Sequence, residues 1–248
     1  MRTIEQAPAG FPEHPPPLGW SHTLAVFGAA AAVLFVGTRV LIPHLSRATG
    51  LEPVVSWFLV GGLVVFVPLI LTGALLLRRE HATGDPRLWS RRLRFRRMNR
   101  GDWLWGIGAL LAIGVLSAGI QRLLMAVLGD VRMHPPFMAF EPLSAGRYWI
   151  LLAWVPFWLL NIMGEELLWR GVMLPRQEVA LGRRAWLANG CGWLLFHVAM
   201  GWQLLLVLAP ILFILPYVTQ RRKNTWVAVL IHAGLNGPGF VAVALGLA

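Results

Sequence analysis

The chain has 248 residues, of which 57% are hydrophobic and only 13% charged. Its mean hydropathy is +0.63, whereas a soluble domain carries about 25% charged residues. These values exclude a water-soluble globular domain, a disordered chain and an outer-membrane barrel with alternating strands. The net charge of +11 raises nucleic acid as a partner, but nine Arg fall between positions 78 and 100, flanked by long apolar segments. Such a block reads as an orientation signal facing anionic lipid, and no nucleic-acid partner is expected. The sole cysteine, Cys191, permits neither an internal disulfide nor a Cys-based metal cluster.

In chain order, residues 1–23 are polar and Pro-rich and lack an apolar core with a cleavage site. They are expected to form a disordered cytoplasmic tail. Seven apolar stretches follow, near 24–42, 54–77, 103–120, 148–168, 186–200, 204–219 and 225–247. A span needs about 20 residues, so the expected fold is all-α. It is a polytopic bundle of about seven transmembrane helices, or eight if the last stretch divides, forming one domain over 24–248. Pro210 and Pro216 are expected to interrupt the sixth span. Trp20, Trp57, Trp103, Trp149 and Trp186 lie near span ends and are expected to be interfacial anchors. The basic segments 78–100, 176–184 and 221–223 follow the second, fourth and sixth stretches and so share one side. The positive-inside rule makes that side, and the N-terminus, cytoplasmic. The Arg-rich, Lys-poor composition and short loops point to a bacterial inner membrane.

Ionisable groups inside spans are costly and mark function. Of the His and acidic residues, only Glu165, Glu166, His197 and His232 lie well inside apolar stretches, with Asn161 and Asn236 completing the polar set. Spacing of four residues places Asn161 with Glu165, Glu166 with Arg170, and His232 with Asn236 on shared helix faces. Glu165 and Glu166 point about 100° apart, so one can face a cavity while the other braces it. In straight helices Glu165, His197 and His232 lie roughly 16, 20 and 14 Å from the cytoplasmic charges Arg176, Arg184 and Lys223. The groups can therefore meet at one level. They contain the parts for water attack on a carbonyl: a carboxylate base, an imidazole, and His and Asn donors for an oxyanion. Glu165, His197 and His232 equally contain the ligands of a catalytic zinc. A structural Glu166–Arg170 ion pair, a proton or ion pathway, and a non-catalytic interaction or immunity protein are the competing readings. The chain has no HExxH, no GxSxG and no phosphate-binding glycine loop.

Glu165-Glu166-Leu167-Leu168-Trp169-Arg170 resembles the EExxxR motif of the CPBP family. These are the CAAX-protease and bacteriocin-processing (abortive-infection) membrane proteins, which include the Rce1-like glutamate intramembrane endopeptidases. Trp193-Leu194-Leu195-Phe196-His197 resembles the family's FxxxH motif with Trp in place of Phe, and His232-Ala233-Gly234-Leu235-Asn236 its HxxxN motif. The resemblance covers roughly 148–247 and implies a catalytic core there. It implies that Glu165 activates water with help from His197, that Glu166 hydrogen-bonds within the site and pairs with Arg170, and that His232 and Asn236 form the oxyanion hole. Trp193 is expected to narrow the cavity. The implied partner is a membrane-associated peptide or protein. No cofactor is expected, with Glu165, His197 and His232 the ligands if a metal is used.

Overall fold

The computed structural model describes residues 15–80, 86–129, 135–138 and 141–247. The expected tail lies outside them over 1–14, as do His81, Asp85, Asp130, Arg132 and His134. Among the described residues the secondary structure is entirely helical. Six stretches are long and apolar enough to cross a membrane: Trp20–Thr49, Pro53–Glu80, Arg100–Leu128, Trp149–Met200, Trp202–Arg222 and Thr225–Ala244. The protein is a multi-pass helical membrane protein. The 52-residue fourth stretch contains two of the seven predicted spans. Its helix stops at Gly182, whose φ of +54° suits only glycine without strain, and the chain then doubles back.

We label α1 as Trp20–Thr49, α2 as Pro53–Glu80, α3 as Pro86–Arg92 and α4 as Arg100–Leu128. The legs 149–181 and 185–200 are α5 and α6; Trp202–Arg222 is α7 and Thr225–Ala244 is α8. Helix α1 starts at Trp20, so residues 20–23 are helical rather than part of a tail. Pro210 and Pro216 do not interrupt α7, nor Pro238 α8. Pro210 and Pro216 are buried against neighbouring helices, where the lost N–H groups are tolerated, while Pro238 is exposed. Helix starts follow local chemistry. Asn99 and Asp102 form a reciprocal capping box at α4, with Asp102 N donating to Asn99 Oδ1 at 2.9 Å, and Asn224 caps α8 by accepting from Trp226 N at 3.1 Å. Within α1, α2 and α5 the backbone widens into π-helix, at Gly37–Leu41, Gly61–Phe66 and Glu166–Met173.

Side-chain pairing gathers the basic segments at one end. Glu80, ending α2, accepts from Arg92 Nε at 2.8 Å and from Arg176 Nε at 2.6 Å. Burial draws the Arg92 guanidinium below its ordinary value, while the Glu80 carboxylate pulls it back up. Glu178 accepts from Arg94 and Lys223, and Asp102 from Arg96, Arg222 and Asn224. Part of the basic block is thus paired within the protein. Arg78, Arg79, Arg97 and Arg100 stay exposed without an ion pair among the described residues. At the opposite end Glu52 pairs with Arg147 at 2.7 Å, Leu143 N donates to Ala244 O at 2.8 Å, and Arg39 donates to Ala199 O at 3.0 Å.

Packing between these ends is aromatic and close. Phe27 stacks on Trp169 with ring centroids 4.0 Å apart, and Trp154 on Phe240 at 4.8 Å. A Cβ on Gly164 would lie 2.9 Å from the Phe66 carbonyl oxygen, so α2 and α5 touch backbone to backbone beside Glu165. Helix α4 exposes Leu104, Leu111 and Val115, as a lipid-facing helix does. Trp20, Trp103 and Trp149 are about half exposed, but Trp57 is only 7% exposed and packs against Phe66, Phe137 and Phe157. It is a core residue, not an interfacial anchor.

Candidate active site

The wide turn of α5 begins at Glu166 and separates two adjacent carboxylates into two environments. Glu165 lines a cavity of about 470 Å³ together with Asn161, Trp193, His197, His232 and Asn236. Glu166 does not line it. Its carboxylate is fully buried and accepts from Arg170 Nη1 at 3.1 Å.

Glu165 is held from both sides. Its Oε1 accepts from Asn161 Nδ2 at 2.8 Å, and its Oε2 accepts from the indole N–H of Trp193. Asn161 in turn accepts through Oδ1 from Asn236 Nδ2 at 2.9 Å. A chain of amides therefore links α8 to the carboxylate on α5. Asn236 is exposed while lining the cavity, so the cavity reaches the surface beside it. Sequence spacing paired Asn161 with Glu165 but gave Asn161 no role; its four-residue offset was the available signal. The same reading gave Trp193 a supporting place with added volume and an indole N–H, but nothing in the sequence signals that this N–H meets Glu165.

The two histidines are oriented by their Nδ1 atoms. His197 Nδ1 lies 3.0 Å from Trp193 O, so it donates there and leaves Nε2 as an acceptor in the neutral ring. His197 comes from the short 3-10 turn that ends α6. His232 Nδ1 lies 2.7 Å from Glu166 Oε1. An ionised Glu166 makes that Nδ1 a donor. Nε2 of His232 then serves an oxyanion only when the ring is doubly protonated, because the neutral ring has no second proton to offer. Asn236 keeps one amide hydrogen beyond the one given to Asn161.

Arg170 stacks on the Trp193 ring with its guanidinium carbon 3.6 Å from the centroid. Glu166, Arg170 and Trp193 thus form a buried floor beneath Glu165. Glu166 Oε2 and Arg170 Nε and Nη2 have no hydrogen-bond partner. Toward the arginine-rich end the polar groups are uncharged: Asn189 donates to Trp169 O and Gln177 Oε1, and Gln177 to Thr23 Oγ1. Ser117 lines the cavity but its hydroxyl is spent on Val207 O at 2.7 Å.

The Glu166 oxygen that accepts from Arg170 also meets His232 Nδ1. Both histidines therefore have the second partner that a metal-bound imidazole uses. The ligand set itself does not fit. Among the described residues no three His, Cys, Asp or Glu side chains converge on one point.

Fold and site define a multi-pass helical membrane protein with a carboxylate, two imidazoles and a carboxamide around a partly open cavity. Residues 147–237 match the family described as Type II CAAX prenyl endopeptidase Rce1-like. The matched segment contains every member of the cluster from Asn161 to Asn236, and the family it resembles is one of proteases, which act on peptides. Comparison with curated proteins and with solved structures gave no match.

Proposed function

We propose that this protein is a glutamate intramembrane endopeptidase. In this reading 24–248 forms one transmembrane unit with its catalytic core at 148–247, set in a bacterial inner membrane with the N-terminus cytoplasmic. The observation that carries the reading is the division of labour at Glu165 and Glu166. One carboxylate lines the cavity with both histidines, and the other braces the floor. Glu165, fixed by Asn161 and Trp193, takes a proton from water, and His197 Nε2 accepts a hydrogen bond from the same water. The hydroxide formed attacks the scissile carbonyl. Doubly protonated His232 and the free amide hydrogen of Asn236 stabilise the oxyanion. The proton on Glu165 passes to the leaving amine as the tetrahedral intermediate collapses. The exposed Arg78, Arg79, Arg97 and Arg100 face anionic lipid headgroups.

The test is Glu165→Gln, which keeps the shape but removes the base and replaces one of the two accepting oxygens with an amide donor. Purified protein should cleave an apolar peptide panel at least about a hundredfold more slowly, the loss expected for a general base. Undiminished cleavage by a folded variant would overturn the mechanism. Unchanged biological function in a fully inserted Glu165→Ala variant would indicate a non-catalytic immunity or interaction role. Proton flux in proteoliposomes that is lost with His197→Ala would indicate a pathway.

A further inference from the structure

The candidate cavity occupies one half of the bundle. On α5 no lining residue lies beyond Glu165, and on α2 none beyond Phe66. On α4 the first is Ile113; on α7 the last is Leu212; on α8 the first is His232. These helices alternate in direction, yet each contributes from the part remote from the arginine-rich end. The far end of the cavity is lined by Pro135, Phe137 and Met138, from the connection between α4 and α5.

The arginine-rich half is filled instead. Beneath Glu165, Leu168, Trp169 and Arg170 are at most 1% exposed, with Phe27 stacked on Trp169. Further on lie the Asn189–Gln177–Thr23 network and the ion pairs centred on Glu80, Glu178 and Asp102. A peptide entering from that end must displace close-packed aromatic rings and separate partly buried charge pairs. At the other end it meets an existing space.

The charge distribution orients the bundle. The arginine-rich end holds the basic residues of α3, the start of α4 and the turns after α5 and α7. The opposite end offsets Arg147 with Glu52. Short-loop Lys and Arg bias sets membrane orientation, so the arginine-rich end is cytoplasmic. We infer that the active site is served from the extracytoplasmic face and that its substrate is an extended apolar peptide presented there, such as an exported or membrane-anchored chain, rather than a chain end approaching from the cytoplasm. The inference rests on the proposed protease reading for the word substrate; the sidedness rests on cavity and charge alone.

Sidedness is tested by thiol labelling in the full-length protein with Cys191→Ala. Single cysteines are placed at the cavity wall (Leu204→Cys), at its far end (Met138→Cys) and at the arginine-rich end (Arg97→Cys). A membrane-impermeant maleimide should label the first two in intact spheroplasts and the third only in inverted vesicles. Failure of Met138→Cys or Leu204→Cys to label in spheroplasts, or labelling of Arg97→Cys there, overturns the inference. A second measurement separates it from the protease reading. Protein reconstituted in known orientation receives an apolar fluorogenic peptide from outside, and cleavage should follow the fraction with the arginine-rich end facing the lumen. Glu165-dependent cleavage confined to the reverse orientation overturns sidedness and leaves the protease standing. Absence of Glu165-dependent cleavage in detergent sinks the protease, while the labelling still decides the sidedness.

Discussion

Trp193 donates its indole N–H to Glu165, so the residue that departs from the family's phenylalanine is a direct hydrogen-bond partner of the candidate base. The same ring carries the Arg170 guanidinium on its face. Trp193→Phe keeps an aromatic face and deletes the donor. Hydrogen bonds to charged groups contribute about 1.5–3 kcal/mol. Thermal or denaturant unfolding in detergent should show a loss in that range, with cleavage retained within about tenfold because Asn161 still holds Oε1. Unchanged stability would show that the bond contributes nothing.

Asn161 joins Asn236 to Glu165 through its two amide ends. Asn161→Ala removes a hydrogen bond to the carboxylate and releases Asn236. Turnover should fall between about tenfold and a hundredfold, the kinetic equivalent of one charge-assisted bond. The variant should still insert and unfold cooperatively. Wild-type turnover would show that Glu165 is positioned by Trp193 alone.

The Glu166–Arg170 pair is at zero exposure and leaves several polar atoms unpaired. Removing Arg170 leaves the buried Glu166 carboxylate with His232 as its remaining partner among the described residues. Arg170→Met should therefore destabilise the protein by about 3–5 kcal/mol. Adding Glu166→Gln should recover part of that loss, since a neutral amide needs no counter-charge. The comparison of single and double variants by unfolding checks this, and full additivity would argue against the pair.

Elemental analysis addresses the metal. Purified, active protein should contain no stoichiometric zinc, and chelation should leave its cleavage rate unchanged. About one zinc per chain, with activity lost on stripping and restored by zinc alone, would make Glu165, His197 and His232 ligands.

The spans and the polar cluster are legible in the sequence for one reason: charged or amide side chains stand out in apolar runs. Glu165, Glu166, His197, His232 and Asn236 are visible on that basis. Trp193 is singled out only by its place in the motif, and the partner of its N–H is hidden until Glu165 is set beside it. The acceptor of His197 is a backbone carbonyl, which every residue owns, and its use appears only with the turn at the end of α6. Prolines 210 and 216 suggest breaks because local rules price the missing N–H without the enclosing helices. Level arithmetic on straight helices brings the groups to one depth, but it carries no information on which half of the bundle is empty.

The wide turn over Glu166–Met173 has a consequence for insertions and deletions. A π-segment is an α-helix carrying an extra residue. Losing one residue between Arg170 and Leu174 would return the backbone to ordinary helix while Arg176 and Gln177 keep their bearings toward Glu80 and Thr23. The same loss between Asn161 and Glu165 would turn everything downstream by about 100°. A one-codon deletion is therefore tolerable on one side of the carboxylate pair and ruinous on the other, and length variation among descendants of this gene should accumulate accordingly.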